Sequence, residues 1–261
     1  MGTEEQKNHA FIKIPNQIFG YEKKINDGTA MIYTFQIIGT IGFVILTYFI
    51  MKQGNKSITQ ESIKAIYEYI GSKETEGLRS YKTIKKYIRI LQKNEYIFID
   101  NDKENFGIND IILVRCNKEI FDTENNFTIM SEEMFYKKIK MIGHIGWSIL
   151  CYLSRQHNYS YCGEGDGYGY ANPSEEKIST VLNIGLTSVK KYISKLEKCR
   201  LIKVVPQSPE FLYNDVNGNP VFKKYNNHYV TYSRIPDHKY YISALDKVIE
   251  SITKNRNRNT E

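Results

Sequence analysis

The sequence predicts a mainly α-helical chain with small β-hairpin wings, built as two tandem copies of one unit. Three observations carry that expectation. The chain resembles itself at an offset near one hundred residues. Each copy holds a pair of helices at helix-turn-helix spacing, the second strongly basic on one side. Each basic helix is followed by two short β-rich runs.

The repeat rests on three blocks that recur in the same order. Phe11-Ile-Lys-Ile-Pro-Asn-Gln-Ile-Phe19 matches Phe127-Thr-Ile-Met-Ser-Glu-Glu-Met-Phe135. Ile38-Gly-Thr-Ile-Gly-Phe-Val-Ile-Leu-Thr-Tyr48 matches Ile142-Gly-His-Ile-Gly-Trp-Ser-Ile-Leu-Cys-Tyr152, and each is read as opening an apolar helix. Thr83-Ile-Lys-Lys-Tyr-Ile-Arg-Ile-Leu91 matches Ser188-Val-Lys-Lys-Tyr-Ile-Ser-Lys-Leu196. The spacing between blocks differs, so the first copy is read with two loop-like insertions, one between its first two blocks and one at Gly71 to Arg79.

Within each copy the expected order is apolar helix, capped helix, turn, amphipathic helix and two β runs. In the second copy Pro173-Ser174 precedes a helix with Glu175 and Glu176 in its first turn, where carboxylates complement the helix dipole. Asn183 can take the left-handed conformation that closes this helix, and Gly185 can cap the next. In the first copy Ser80 holds that capping position, and Ser57-Ile-Thr-Gln60 resembles a capping box for the helix before it. The β runs are Ile97 to Asp100 with Asp110 to Val114, and Leu201 to Val205 with Tyr225 to Tyr232. Asn217-Gly218 signals a hairpin turn in the longer second wing. This is the winged-helix order. It divides the chain into a first winged-helix domain at 1–120, a second at 121–236, and a C-terminal helix with a basic tail at 237–261.

Charge points to the partner. The net charge is +7, with 36 Lys and Arg against 29 Asp and Glu. Residues 79–98 hold six basic residues and one acidic, as do residues 184–203, so each window is +5 and the rest of the chain is −3. A charge serving only solubility would spread over the surface. Periodicity sets Ile84, Tyr87, Ile88 and Leu91 on one helix face, and Val189, Tyr192, Ile193 and Leu196 on its counterpart. The residues expected to contact double-stranded DNA are Lys82, Thr83, Lys85, Lys86 and Arg89 on one helix, and Thr187, Ser188, Lys190, Lys191 and Ser194 on the other. Lysines and arginines neutralise phosphates, and polar residues in the first turns reach base edges in the major groove.

The stretch from Phe127 to Ile202 resembles the helix-turn-helix domains of phage replisome organisers and of plasmid replication initiators from low-GC Gram-positive bacteria. The resemblance lies in Ala171-Asn-Pro-Ser174 before the second helix, in Ile178-Ser179, and in Ser188-Val189 with Leu196-Glu197 on the third. It departs from that pattern at Asn183 and Gly185, and at Arg200 and Glu95, where the family usually carries Gly after the third helix. The resemblance implies a sequence-specific DNA-binding protein that initiates or organises plasmid or phage replication, with other replication proteins as partners. A winged-helix transcription regulator is the alternative.

Other chemistry finds little support. Gly163-Glu-Gly-Asp-Gly-Tyr-Gly169 lacks the Gly-Lys-Ser/Thr ending of a phosphate-binding loop and carries two acids. The five histidines include no pair two residues apart, and the four cysteines show no zinc spacing and no disulfide framework. No enzyme activity, cofactor, metal or small-molecule substrate is expected, and the reading places the chain in the cytoplasm. Gly28 to Met51 carries no charge and is long enough to cross a bilayer. Its polar residues Thr34, Gln36, Thr40 and Thr47, and its less apolar counterpart in the second copy, favour a loop or strand followed by a core helix starting near Ile38. A membrane-anchored protein and a protein-interaction module are the rivals from other classes.

Overall fold

The computed structural model describes residues 11–25, 28–54, 56–72, 78–100, 106–117, 127–156, 170–207 and 209–231. The expected C-terminal helix and tail and the Gly163–Gly169 segment lie outside the described residues, as does most of the second insertion. Among the described residues the chain is a mixed α/β fold with six α-helices and small antiparallel sheets.

The first half opens with strand β1 (Phe11–Pro15), a 3₁₀ turn (Asn16–Phe19) and a hairpin of β2 (Tyr21–Ile25) and β3 (Gly28–Ile32). The first insertion is thus a hairpin rather than a loop, at least in its described part. Helix α1 (Thr34–Gln53) follows, then β4 (Thr59–Glu61), α2 (Ile63–Ile70), α3 (Tyr81–Lys93), β5 (Ile97–Ile99) and β6 (Ile112–Cys116). The second half contains β7 (Phe127–Ser131), α4 (Glu132–Arg155), α5 (Glu175–Leu182), α6 (Leu186–Lys198), β8 (Ile202–Val205), β9 (Glu210–Asn214), β10 (Pro220–Lys223) and β11 (His228–Thr231). In the first half β6 lies between β4 and β5. In the second, β11 pairs with β8 on one side and through Tyr229 with Ala171 on the other, so the same arrangement recurs.

The two apolar helices start earlier than their sequence blocks, and each breaks at the same repeated glycine. Gly39 has φ 61° and ψ 178°, and Gly143 has φ 70° and ψ −178°, a conformation closed to residues with a Cβ. Three residues later a second repeated glycine lets the basic helix approach. A Cβ on Gly42 would lie 3.3 Å from the Tyr87 ring, and one on Gly146 would lie 3.4 Å from the Tyr192 ring. Tyr87 and Tyr192 are themselves matching positions.

Helix ends follow the expected chemistry with one correction. Ser80 and Ser174 accept bonds from the Thr83 and Lys177 amides, Asn183 is left-handed with φ 51°, and Gly185 is the N-cap of α6. The Ser57–Gln60 stretch is not a capping box. Thr59–Glu61 is a strand paired with β6, and Ser62 caps α2 by accepting from the Ala65 amide at 3.1 Å. After the basic helices, Glu95 and Arg200 stand with φ 60° and 54°, where glycine is ordinarily favoured. Both are followed by the same bond, from Tyr96 N–H to the Leu91 carbonyl and from Leu201 N–H to the Leu196 carbonyl, each 2.9 Å. Left-handed backbone disfavours a Cβ, so Glu95→Gly and Arg200→Gly are each expected to raise stability by about 0.5–1 kcal/mol. Urea unfolding checks this, and a lowered midpoint would mean that side-chain contacts outweigh the strain.

One contiguous set of buried residues runs through both halves, from Ile12 to Tyr229. Phe19, Phe35, Phe43 and Tyr152 meet with ring centroids 4.9–5.9 Å apart, and Trp147, the counterpart of Phe43, is fully buried against Phe135. Helix α1 is the one described helix long and apolar enough to cross a membrane, and most of it is buried inside the protein. Its buried polar residues Thr34, Thr40, Thr47 and Gln53 have partners there. Gln53 accepts from the Cys116 amide at 2.8 Å and donates to the Ser57 carbonyl at 3.0 Å, tying the helix end to β6.

Candidate nucleic-acid interface

The basic helices α3 and α6 are held by apolar faces pressed onto α1 and α4. Ile84, Ile88 and Leu91 are fully buried, as are Val189 and Leu196, with Tyr192 and Ile193 nearly so. That burial fixes which residues turn outward. On α6, Thr187, Lys190, Lys191, Ser194 and Lys198 are exposed, and Ser188 and Lys195 are half-buried. The five expected contact residues therefore share one polar surface. Lys190 Nζ, on an exposed side chain, lies 3.8 Å from an oxygen of the half-buried Glu175, and a pair at that distance beside solvent contributes little. Glu176, at the start of α5, has its carboxyl held below the usual range, first by its own backbone amide, then by the Ser174 hydroxyl, with Lys190 adding to the effect.

Helix α3 differs. Lys82 and Lys86 are exposed, while Thr83, Lys85 and Arg89 are half-buried. Thr83 Oγ1 is 3.0 Å from the hydroxyl of the capping Ser80. Lys85 donates to the Phe106 carbonyl at 2.6 Å, and both Lys85 and Arg89 lie over the Phe106 ring, 5.1 and 4.4 Å from its centroid. Arg89 also donates to Gln92 Oε1 at 2.9 Å. Phe106 is only 1% exposed, so the segment leading into β6 folds back onto the basic helix and engages two of its five expected contact residues. Phe106 was missed by sequence reasoning, because a lone aromatic in a polar stretch has no periodicity to mark it.

The second half carries a longer hairpin after its basic helix. Between β8 and β11 the hairpin of β9 and β10 turns at Asp215, whose carboxylate accepts from the Asn217 and Asn219 amides at 2.8 Å, with Gly218 at φ 82°. The Asn219 amide and side chain first, and the Asn217 amide after them, hold the Asp215 carboxyl below its ordinary range. The turn thus includes the expected Asn217-Gly218. The hairpin exposes Phe211 at 53%, Tyr213 at 58% and Phe222 at 47%, with Lys223 5.0 Å from the Tyr225 ring centroid. This aromatic surface is a further contact candidate, signalled in the sequence only by alternation around the turn.

Among the described residues no group of three His, Cys, Asp or Glu side chains could hold a metal ion. Cys116 and Cys151 are buried free thiols, and burial pushes Cys116 up to about 12, so neither presents a thiolate near neutrality. No family model and no curated protein sequence matches the chain.

Proposed function

We propose that each half of the chain is a winged helix and that the two together bind double-stranded DNA in a sequence-specific manner, with α3 and α6 as the reading helices. The observation that carries the proposal is the repeated combination of a +5 window with a helix whose apolar face is buried and whose polar face exposes a pair of lysines, Lys82 and Lys86 on α3 and Lys190 and Lys191 on α6. A single solvated helix often carries lysines. Two at matching positions, each after a helix-turn-helix spacing and each followed by a wing, favour one polyanionic partner.

The order of elements supports the same reading. In each half a helix precedes a short edge segment, the strand β4 in the first and the single bridge Ala171–Tyr229 in the second, then two helices, then strands joined across a hairpin or loop. Lys82, Lys86, Lys190 and Lys191 would meet phosphates, while Thr83, Thr187, Ser188 and Ser194 would approach base edges. Lys85 and Arg89 would serve the same interface while resting on Phe106. The resemblance of residues 127–202 gives the role as initiation or organisation of plasmid or phage replication. Regulation of transcription is the alternative, and an iterated site beside the protein's own gene, rather than one overlapping a promoter, favours replication.

The test is an equilibrium titration of duplex DNA over a range of salt. The proposal expects affinity to fall steeply, with a logarithmic slope of about −0.9 per phosphate contact. A protein-interaction module would give no salt-sensitive duplex affinity, and that result would end the proposal.

A further inference from the structure

The two halves meet each other through matching surfaces. Strands β1 and β7 belong to the same repeated block, with Phe11 equivalent to Phe127 and Pro15 equivalent to Ser131, and they pair antiparallel in reciprocal register. Phe11 faces Ser131, Pro15 faces Phe127, and at the centre Lys13 faces its own equivalent, Ile129. Deeper in the core Thr40 and His144, also equivalent positions, touch through Thr40 Oγ1 and His144 Nδ1 at 2.7 Å. Helix α1 packs on α5, and its counterpart α4 packs on α2.

Contacts in which position i meets j′ while j meets i′, with self-equivalent pairs at the centre, are the signature of an isologous, two-fold interface. A head-to-tail arrangement would join two different surfaces. The halves are therefore related by an internal pseudo-two-fold axis running near the Lys13–Ile129 and Thr40–His144 pairs. The reading helices share that relation, because α3 crosses α1 at Gly42 as α6 crosses α4 at Gly146. A two-fold rotation leaves the component of any direction along its axis unchanged. The exposed faces of α3 and α6 thus share that component, while the components of the two helix directions perpendicular to the axis are reversed, so the helices run antiparallel across it.

We infer that one chain reads two half-sites in inverted orientation, an imperfect palindrome rather than a direct repeat. This rests on the DNA-binding reading above. Protein two-fold symmetry is mirrored in the symmetry of the site it reads, with half-sites about one helical turn apart or a multiple of it. The palindrome is imperfect because the reading residues differ at three matching positions. Lys82, Thr83 and Arg89 stand where the second half has Thr187, Ser188 and Ser194, whereas Lys85 matches Lys190 and Lys86 matches Lys191.

Those three differences supply the experiment. In the full chain, Lys82→Thr/Thr83→Ser/Arg89→Ser gives α3 the same expected contact residues as α6. Selection from random duplexes is expected to return a more perfect inverted repeat than the wild-type protein returns. The variant should prefer that repeat over the same half-sites arranged directly by about a hundredfold, the order that one or two misread base pairs cost. Preference for the direct arrangement would overturn the inference. Should the triple variant fail to fold, Lys82→Cys and Thr187→Cys, both at exposed positions, can each carry an iron chelate that cuts nearby DNA, with wild-type protein treated alike as background. On the wild-type site the two cleavage patterns should be related by rotation, exchanging strands. Patterns that repeat on the same strand, or cutting at one half-site only, would overturn it. Absence of duplex binding by the wild-type protein would overturn the DNA-binding reading and this inference together.

Discussion

Ile45→Asp is expected to leave the protein unable to fold. Ile45 is completely buried in α1, within a run from Phe43 to Leu46 that has no solvent access. The tyrosines nearby report the same dry interior, since burial raises the Tyr48 hydroxyl far above its ordinary range, with Glu61 adding to the effect. A carboxylate placed there must either bury an unpaired charge or bind a proton, and the loss is expected to be about 4 kcal/mol or more. Against a total stability of about 5–15 kcal/mol, and with α1 packed against both halves, such a loss removes the native state or leaves it barely populated. Solubility and thermal unfolding of the variant check this. If α1 instead spanned a bilayer, the variant would stay folded and move from the membrane fraction to the soluble one.

The second large effect is on binding. Lys190→Ala/Lys191→Ala is expected to weaken duplex binding by about 10- to 100-fold and to reduce the salt slope by about two, one for each lost phosphate contact. Both lysines are exposed and their helix is held by buried residues on its opposite face, so stability should change by less than about 0.5 kcal/mol. The ion pair broken, Lys190 with the half-buried Glu175 at 3.8 Å, is long and open to solvent on the lysine side and contributes little. Thr187 and Ser188 should behave differently, altering which sequence is preferred more than the salt slope. An unchanged slope in the double-lysine variant would remove α6 from the interface.

What could be read from the sequence was local and periodic. The buried stripe of α6 follows from the spacing of Val189, Tyr192, Ile193 and Leu196, and the left-handed Asn183 and the N-cap Gly185 follow from the few residues that suit those positions. Short or distant features were harder. Strand β4 is three residues long, too short for an alternating pattern, and its Ser-Ile-Thr-Gln context imitates a cap more closely than a strand. The hairpin of β2 and β3 sits in a stretch that looks like an insertion because the second copy lacks it. Pairing of β1 with β7 joins segments more than a hundred residues apart, and no local signal marks such a partner. Charge counting found the basic windows but not which cations are free to meet a ligand. That depends on Phe106, which covers Lys85 and Arg89 from a loop with no periodicity.

The central claim is that two reading helices in one chain contact two segments of one duplex. Footprinting of the wild-type protein beside two double variants tests it most directly. Because Lys85 and Arg89 rest on Phe106, the exposed pair Lys82→Ala/Lys86→Ala represents α3, and Lys190→Ala/Lys191→Ala represents α6. The wild-type protein should protect two segments about 34 Å, or roughly 10 base pairs, apart or at a multiple of that spacing. Each variant should lose protection over a different segment. The same loss from both variants, or wild-type protection of a single short segment, would contradict the account.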